Sequence, residues 1–406
     1  MKKIVVNGGI PLNGEITVSG SKNAALPVIF SCFLINGVSY IENLPDIGDV
    51  RIALSLLRTF GGEVEKCGNV TMIDTTNLVY TDPDPALASK IRASTYLIGA
   101  CLSRFGRCPV PGYGGCNFSP RPIDMHIDAC LSLGARLSDN MISCSRLKGN
   151  EIVFRQPSVG ATVNAILLAA TADGATHITN CACEPHIDLL IDFLCSCGAD
   201  ITRRGRELYI VGKSLHGGRI SVIGDMIEAG SYLTLSLMCK GDVKLKNCPY
   251  EDMSAFIQLA CDMGATLSLE QNLLSATLEK RNSASVITAP HPGFPTDLQP
   301  IVAPLMAYCD GGTITDNVWP DRFGYLDTLA PFGVKYNLTG NKALIYPSEL
   351  HRGKSFACDL RGGMACLITA LSTEGQSEIS SLDTILRGYA DLEKKLRTLG
   401  AEIKIK

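Results

Sequence analysis

Residues 193–211, FLCSCGADITRRGRELYIV, decide how this chain folds. An apolar run stops at Gly198, and an alternating run follows through a second glycine, Gly205. In DLLIDFLCSCG, the apolar Leu189, Leu190, Phe193 and Leu194 have helical spacing. Glycine just past the last turn takes a left-handed conformation without a Cβ penalty and so ends the helix. ADITRRGRELYIV then predicts a β-hairpin turning at Gly205-Arg206. The unit is helix, glycine, hairpin.

The unit is repeated. LLRTFGGEVE (56–65), LSLGARLS (131–138), LACDMGATLS (259–268), TLAPFGVKYN (328–337) and KLRTLGAEIK (395–404) carry it around Gly61, Gly134, Gly264, Gly333 and Gly400. With Gly198 this makes six copies. Their interval of roughly 70 residues suits a small α+β unit rather than a solenoid turn. Hairpin turns are also predicted at Gly68-Asn69 and Gly340-Asn341. SKNAALPVIFSCFL, SVGATVNAILLAAT, EAGSYLTLSLMCK and GGMACLITALST are apolar nearly all round and predict buried helices.

Six units group as two lobes of three in an α+β fold. The first lobe is expected over 20–228, and the second, discontinuous, over 1–19 and 229–406. Lys2–Thr17 reads as strand material belonging to the second half. A chain that crosses twice between lobes has a natural hinge, and clefts between lobes are preferred ligand sites.

A length of 406 residues with 46% hydrophobic and 19% charged residues is that of a globular chain of two or three domains. A net charge of −3 argues against a nucleic-acid partner, so any anion site must be a local cluster of cations. Ile-Val-Val after Met1-Lys-Lys is too short for a signal peptide. The run from Ala24 to Val38 is broken by Pro27, Ser31 and Asn36 and is short for a membrane span. A cytoplasmic protein with no membrane partner is expected. Seventeen cysteines without an export signal read as reduced thiols. Cys181/Cys183 and Cys195/Cys197 beside His186 have C-x-C spacing rather than that of a zinc site, and read as structural thiols. No metal and no organic cofactor is expected. The sequence gives no coiled coil or interface signal, so the oligomeric state is not readable from it.

Three stretches carry candidate chemistry. PGYGGCNFSPRPIDMH (111–126) holds Gly112, Gly114 and Gly115 at one end, and Pro120 and Pro122 at the other. A mobile thiol, Cys116, next to a fixed guanidinium, Arg121, fits a lid over an anionic substrate. Lys22 and Asn23 open an apolar helix just after Ser19-Gly20-Ser21, where backbone N–H groups are free to meet an anion. Ser158-Val159-Gly160 opens another and looks like a backbone cradle for an anion.

Taken in order, SGSKNAALP (19–27), IRAS (91–94), GGC (114–116), SVGAT (158–162), IEAGSY (227–232), PGFPTDLQ (292–299), DRF (321–323), DLR (359–361) and RGY (387–389) span essentially the whole chain. With the sixfold repeat they make it resemble the enolpyruvyl transferases, whose two lobes are inside-out α/β barrels. The likeness is strongest to the branch that uses UDP-N-acetylglucosamine.

The resemblance implies transfer of the enolpyruvyl group of phosphoenolpyruvate to the 3′-hydroxyl of that nucleotide sugar by addition and elimination. Phosphate is released in what would be the first committed step of peptidoglycan precursor synthesis. It implies that Cys116 donates a proton, forms an adduct with phosphoenolpyruvate, and is alkylated by fosfomycin. It implies that Asp297 lies at the acceptor hydroxyl as base, although locally Thr296 or Asp297 could simply cap a helix. By the same resemblance Lys22 and Asn23 would bind phosphoenolpyruvate, and Arg322 and Arg387 would grip it. Arg92, Arg121 and Arg361 contact the sugar nucleotide or phosphate. Arg121, Pro122, Ile123, Asp124, Met125, Ser158, Val159, Gly160, Asp297 and the Val318 backbone match nucleotide-sugar contacts.

The chain departs from the family pattern on the acceptor side. Gln156 stands for a lysine, Met226 for an arginine, His186 for a glutamate and Leu386 for an acid, and Cys183 also differs. Asn117, Phe118, Ser119 and Pro120 replace a smaller loop tip. Two alternatives follow. One is a paralogue using another nucleotide sugar or a nucleoside. The other is a nucleotide-sugar-binding protein without turnover. The shikimate-pathway synthases and the RNA cyclases would share the repeat but are not expected to carry the GGC lid.

Overall fold

The computed structural model describes residues 2–110 and 122–406. Cys116 and Arg121, with the rest of 111–121, lie outside the described residues.

Around the decisive stretch the unit is complete. Strand Glu151–Val153 leads to the buried helix Val159–Ala169, then to strand Ala175–Thr179, helix Pro185–Ser196 and the hairpin Asp200–Arg204/Glu207–Val211. The sheet runs in the order Asp200–Arg204, Glu207–Val211, Ala175–Thr179, Glu151–Val153. Only the last pair is parallel. Its register places Ile152 beside Ile178, both inward and buried with Leu208 and Ile210. Alternation sends Tyr209 and Val211 outward. In the helix before the hairpin, Leu189, Leu190, Phe193 and Leu194 are buried while Asp188 and Asp192 face water.

The six repeat glycines, Gly61, Gly134, Gly198, Gly264, Gly333 and Gly400, all have φ between +89° and +97°. The hairpin glycines Gly68, Gly205 and Gly340 lie at +60°, +59° and +57°.

Two compact units result. One comprises residues 2–19 with 224–406, the other the described parts of 20–223. Each contains three sheets; among the described residues five have four strands and one has three. Each also has three helices buried on nearly every side. These are Met226–Cys239, Gln299–Tyr308 and Leu360–Ser372 in the first, and Lys22–Ser31, Leu97–Phe105 and Val159–Ala169 in the second. In the first unit the three pack directly on one another. None of the described helices is long and apolar enough to cross a membrane.

The chain trades strands where it passes between units. Strand Gly14–Thr17 precedes helix Lys22–Ser31 but pairs with Val243–Lys246. Strand Arg219–Ser221 precedes helix Met226–Cys239 but pairs with Val38–Glu42. Lys3–Gly8 joins Gly375–Ser380 and Glu402–Ile405. The second passage lies between Ile223 and Gly224, rather than between 228 and 229. The reason is local: Asp225 caps the helix through Ile227 N and Glu228 N, and Glu228 is bound to Ser19 and Lys395 of the same unit.

Matching asparagines fasten the two passages. Asn43 and Asn247 have φ of 56° and 58°. Asn43 Nδ2 donates to Val222 O at 2.7 Å, and Asn247 Nδ2 donates to Val18 O at 3.0 Å. Gly20 passes beneath the Asn43 carbonyl and Gly224 beneath that of Asn247. A Cβ there would lie 1.9 Å and 2.1 Å from those oxygens, so only glycine fits.

Candidate active site

In the unit that ends the chain, the candidate residues converge on one carboxylate. Asp297 lies in the 3₁₀ turn Thr296–Leu298 that enters helix Gln299–Tyr308. Neither Thr296 nor Asp297 caps that helix. Pro300 occupies its first turn, where a missing N–H costs nothing. Arg322 Nη1 donates to Asp297 Oδ1 at 2.6 Å. Arg361 reaches Oδ2 through Nε at 3.4 Å and Nη2 at 3.3 Å.

Both arginine side chains are almost fully buried, at 5% and 1% exposed, whereas Asp297 keeps 28%. A buried cation costs several kcal/mol unless it is paired. Burial alone would lower the pKa of Arg322, but Asp297 and then Asp359 outweigh it and hold the group above its usual value. Arg361 sits in the first turn of helix Leu360–Ser372, a position the helix dipole disfavours for a cation. Asp359 caps that end through Arg361 N and Gly362 N. The Arg361 guanidinium lies 5.4 Å from the Tyr389 ring centroid, and the Tyr389 hydroxyl meets Ser231 Oγ at 2.8 Å.

Asp316, fully buried, braces the same cluster. It accepts from Thr288 Oγ1 at 2.6 Å, Thr296 Oγ1 at 2.7 Å, Val318 N at 2.9 Å and Trp319 N at 2.7 Å. Thr296 in turn lies 3.3 Å from Arg322 Nη1. The Val318 N–H is thus engaged, and its carbonyl is the group left to offer a ligand. Arg387 is half-buried two residues before Tyr389. Met226 and Leu386 pack against the apolar core, which accounts for uncharged residues at those positions.

In the other unit, Lys22 opens helix Lys22–Ser31, and its Nζ lies 3.6 Å from Asp49 Oδ2, with both side chains largely buried. Asn23 beside it is half-buried. Arg92, half-buried, opens the 3₁₀ turn Arg92–Tyr96. Pro122 is exposed, and Ile123 and Met125 are half-buried. Asp124 pairs with Arg155, whose hydrogen bond holds the carboxyl below its usual range. Gln156 is exposed, and Arg155 beside it is the residue that pairs with Asp124.

Ser158 caps helix Val159–Ala169 by accepting from Ala161 N at 3.4 Å. The imidazole of the buried His126 lies against Gly160, and Asn164 Nδ2 is 2.7 Å from His126 Nδ1. Burial first, then the charge of Arg92, hold His126 down at about 4.

The structure therefore brings Asp297, Arg322 and Arg361 into one cluster and ties Val318 to it. It gathers Arg92, Asp124 and Ser158–Gly160 around His126, and sets Lys22 on Asp49. Sequence reading did not find Asp316, Tyr389, His126 or Asn164. Tyr389 and His126 stand within or beside quoted motifs, so their position was the available signal. Among the described residues no three His, Cys, Asp or Glu side chains form a metal site.

Known proteins share this fold. The enolpyruvyl transferase NikO from Streptomyces tendae superposes with a TM-score of 0.90 at 24% identity, covering 100% of this chain and 99% of that one. EPSP synthase from Acinetobacter baumannii gives 0.76 at 18% identity over 100% of both chains. In sequence, UDP-N-acetylglucosamine 1-carboxyvinyltransferase 3 of Caldanaerobacter subterraneus subsp. tengcongensis is 39% identical across 99% of each chain. UDP-N-acetylglucosamine 1-carboxyvinyltransferase of Halothermothrix orenii is 37% identical across 100% of this chain and 99% of its own. Fold and sequence together define a carboxyvinyl-transferring enzyme. The chain belongs to the EPSP synthase (3-phosphoshikimate 1-carboxyvinyltransferase) family, which it matches over residues 6–396.

Proposed function

We propose that this chain transfers the enolpyruvyl group of phosphoenolpyruvate to the 3′-hydroxyl of UDP-N-acetylglucosamine and releases phosphate. The observation that carries this reading is identity of 35–39% along the full length with relatives named for that activity. The Asp297–Arg322–Arg361 cluster supports it. Phosphoenolpyruvate brings a phosphate and a carboxylate, which guanidinium groups bind in paired hydrogen bonds.

The reaction is an addition followed by an elimination. Cys116 protonates the vinyl CH₂ carbon while the sugar 3′-hydroxyl adds to the carbon bearing phosphate, giving a tetrahedral ketal. Asp297 accepts the hydroxyl proton. Arg322 holds its Oδ1 at 2.6 Å, and Arg361 holds Oδ2 through the longer contacts of 3.4 and 3.3 Å. Loss of a methyl proton then expels phosphate and restores the double bond. Lys22, Asn23, Arg322 and Arg387 bind phosphoenolpyruvate in this scheme. Arg92, Arg121 to Met125, Ser158 to Gly160, Val318 and Arg361 serve the nucleotide sugar or the phosphate. Peptidoglycan precursor synthesis in the cytoplasm, and inactivation by fosfomycin at Cys116, belong to the same reading.

Phosphate release with phosphoenolpyruvate and UDP-N-acetylglucosamine tests it. Release only with another nucleotide sugar or a nucleoside would make the chain a paralogue, and binding without release under any acceptor would make it a binder. Cys116→Ser is expected to abolish most turnover while retaining nucleotide-sugar binding.

A further inference from the structure

Asn164 is fully buried on helix Val159–Ala169 and joins four segments. Its Oδ1 accepts from Gly99 N at 2.7 Å. A backbone N–H can only donate, so this contact fixes which end of the amide is oxygen. Nδ2 then faces Thr95 O at 3.1 Å, His126 Nδ1 at 2.7 Å and the more distant Gly160 O at 3.4 Å. An amide nitrogen offers two protons and no lone pair to accept with, so His126 Nδ1 must accept. The imidazole proton consequently resides on Nε2.

His126 Nε2 has no hydrogen-bond partner among the described residues. The ring edge carrying it lies against Gly160, where a Cβ would stand 2.9 Å from Nε2 and 2.7 Å from Cε1. Gly160 is in the first turn of an eleven-residue helix, where backbone N–H groups point outward and the dipole favours anions. Any larger residue at 160 would cover this proton. The charged groups that act on the ring are Arg92 and Asp124, the latter paired with Arg155.

We propose that His126 is a ligand-binding residue whose neutral Nε2–H donates to an anionic oxygen, of the diphosphate class, bound at the N-terminus of helix Val159–Ala169, and that Asn164 is the positioning residue that fixes this tautomer. The identity of the diphosphate as that of a nucleotide sugar rests on the function proposed above; the tautomer and the anion do not. The ring holds its neutral form down to about pH 4, so the donor persists at any working pH. A donor that does not titrate favours a phosphate oxygen without adding charge beside Arg92. Asn164 touches no ligand in this scheme and acts through His126.

The test is ¹⁵N NMR of the intact protein's histidines, with binding measured in parallel. The wild-type chain should show His126 as the neutral Nε2–H form at neutral pH, and inorganic pyrophosphate should shift Nε2 more than Nδ1. Asn164→Asp replaces the donor by an acceptor and should move the proton to Nδ1 or produce the imidazolium. His126→Phe should weaken pyrophosphate and nucleotide-sugar binding by on the order of tenfold to a hundredfold, the span for a hydrogen bond to a charged group. His126→Gln, which can present an N–H from the same region, should recover most of that loss. His126→Phe and His126→Gln leave the Asn164 bonds to Gly99 N and Thr95 O in place, so these two variants remain informative even where an Asn164 variant fails to fold. An Nδ1–H tautomer in the wild type, or pyrophosphate affinity unchanged in His126→Phe, overturns the proposal. Pyrophosphate binding that behaves as expected in a chain that releases no phosphate with UDP-N-acetylglucosamine would sink the function and leave the donor standing.

Discussion

Arg322 Nη1 stands 2.6 Å from Asp297 Oδ1, a contact between a cation almost wholly removed from water and a carboxylate that keeps part of its surface. Arg361 closes on the other oxygen. The carboxylate offsets two buried cations, and in the proposed reaction it also accepts the proton of the acceptor hydroxyl. Asp297→Asn keeps the shape and removes the charge. We expect kcat to fall by about 10²–10⁴-fold, the range for loss of a general base, with a smaller change in nucleotide-sugar affinity. Asp297→Ala should also lower thermal stability, because two guanidinium groups then lack their partner. Steady-state kinetics alongside thermal melts separate the two roles. A turnover within tenfold of wild type for Asp297→Asn would remove this residue from the proton transfer.

Asp316 makes a different prediction because it is fully buried and bonded to the protein's own donors. Its four donors tie the end of one strand to Thr296 and to the Val318 turn. An asparagine in its place turns one acceptor into a donor facing donors. Asp316→Asn is expected to cost about 2–3 kcal/mol, the scale of charge-assisted hydrogen bonds lost in a buried site. Urea unfolding should register that cost, and KM for the nucleotide sugar should rise as the Val318 carbonyl drifts. Unchanged stability would mean that the network is replaceable by water.

The sixfold repeat was legible because its cause is local. A glycine that must adopt positive φ after a helix announces itself within a few residues, and all six do so. A second repeat went unread. Asn43, Asn180 and Asn247 each follow a strand, have φ of 56° to 58°, and donate from Nδ2 to Val222 O, Phe154 O and Val18 O. The signal was present in VSYIEN, ATHITN and VKLKN. Its meaning lay in partners as far as 179 and 229 residues away. The exchange of Gly14–Thr17 and Arg219–Ser221 was hidden for the same reason, since a strand's sequence does not name the sheet it joins. In the site, motif positions marked the arginines, whereas the bond from Arg361 to Asp297 and the grip of Asn164 on His126 exist only once distant helices pack.

His126 gives a pH signature of stability. Its folded pKa, about 4, lies below the ordinary 6.5 because burial and Arg92 oppose the charged ring. Between those values the unfolded chain binds a proton that the folded chain refuses, so stability falls as pH drops from about 6.5 toward about 4. The full loss is about 3 kcal/mol for this one group. Above the upper value the term vanishes. His126→Gln has no proton to bind and should lose less stability than wild type over that interval. Urea midpoints at about pH 7 and about pH 4.5, compared between the two proteins, isolate the term from the carboxylates they share. Parallel pH profiles would show that the ring protonates freely in the folded state.

The passages between units predict where a methyl group is least tolerated. At Gly205 φ is +59° and nothing lies within 4 Å of an added Cβ, so Gly205→Ala pays only for its left-handed backbone, about 1 kcal/mol. At Gly20 the Cβ would meet the Asn43 carbonyl oxygen at 1.9 Å, and at Gly224 that of Asn247 at 2.1 Å. Neither carbonyl can retreat easily, since each asparagine is held in a left-handed turn by its own side-chain bond to the neighbouring strand. Gly20→Ala and Gly224→Ala should each cost about 3 kcal/mol or more. Only Ser21 separates Gly20 from Lys22 and Asn23, so Gly20→Ala should also raise KM for phosphoenolpyruvate, whereas Gly205→Ala should leave it alone. Equal melting temperatures for Gly20→Ala and Gly205→Ala would show that the passage gives way to a methyl group, and that Gly20 is not what fixes the start of the Lys22 helix.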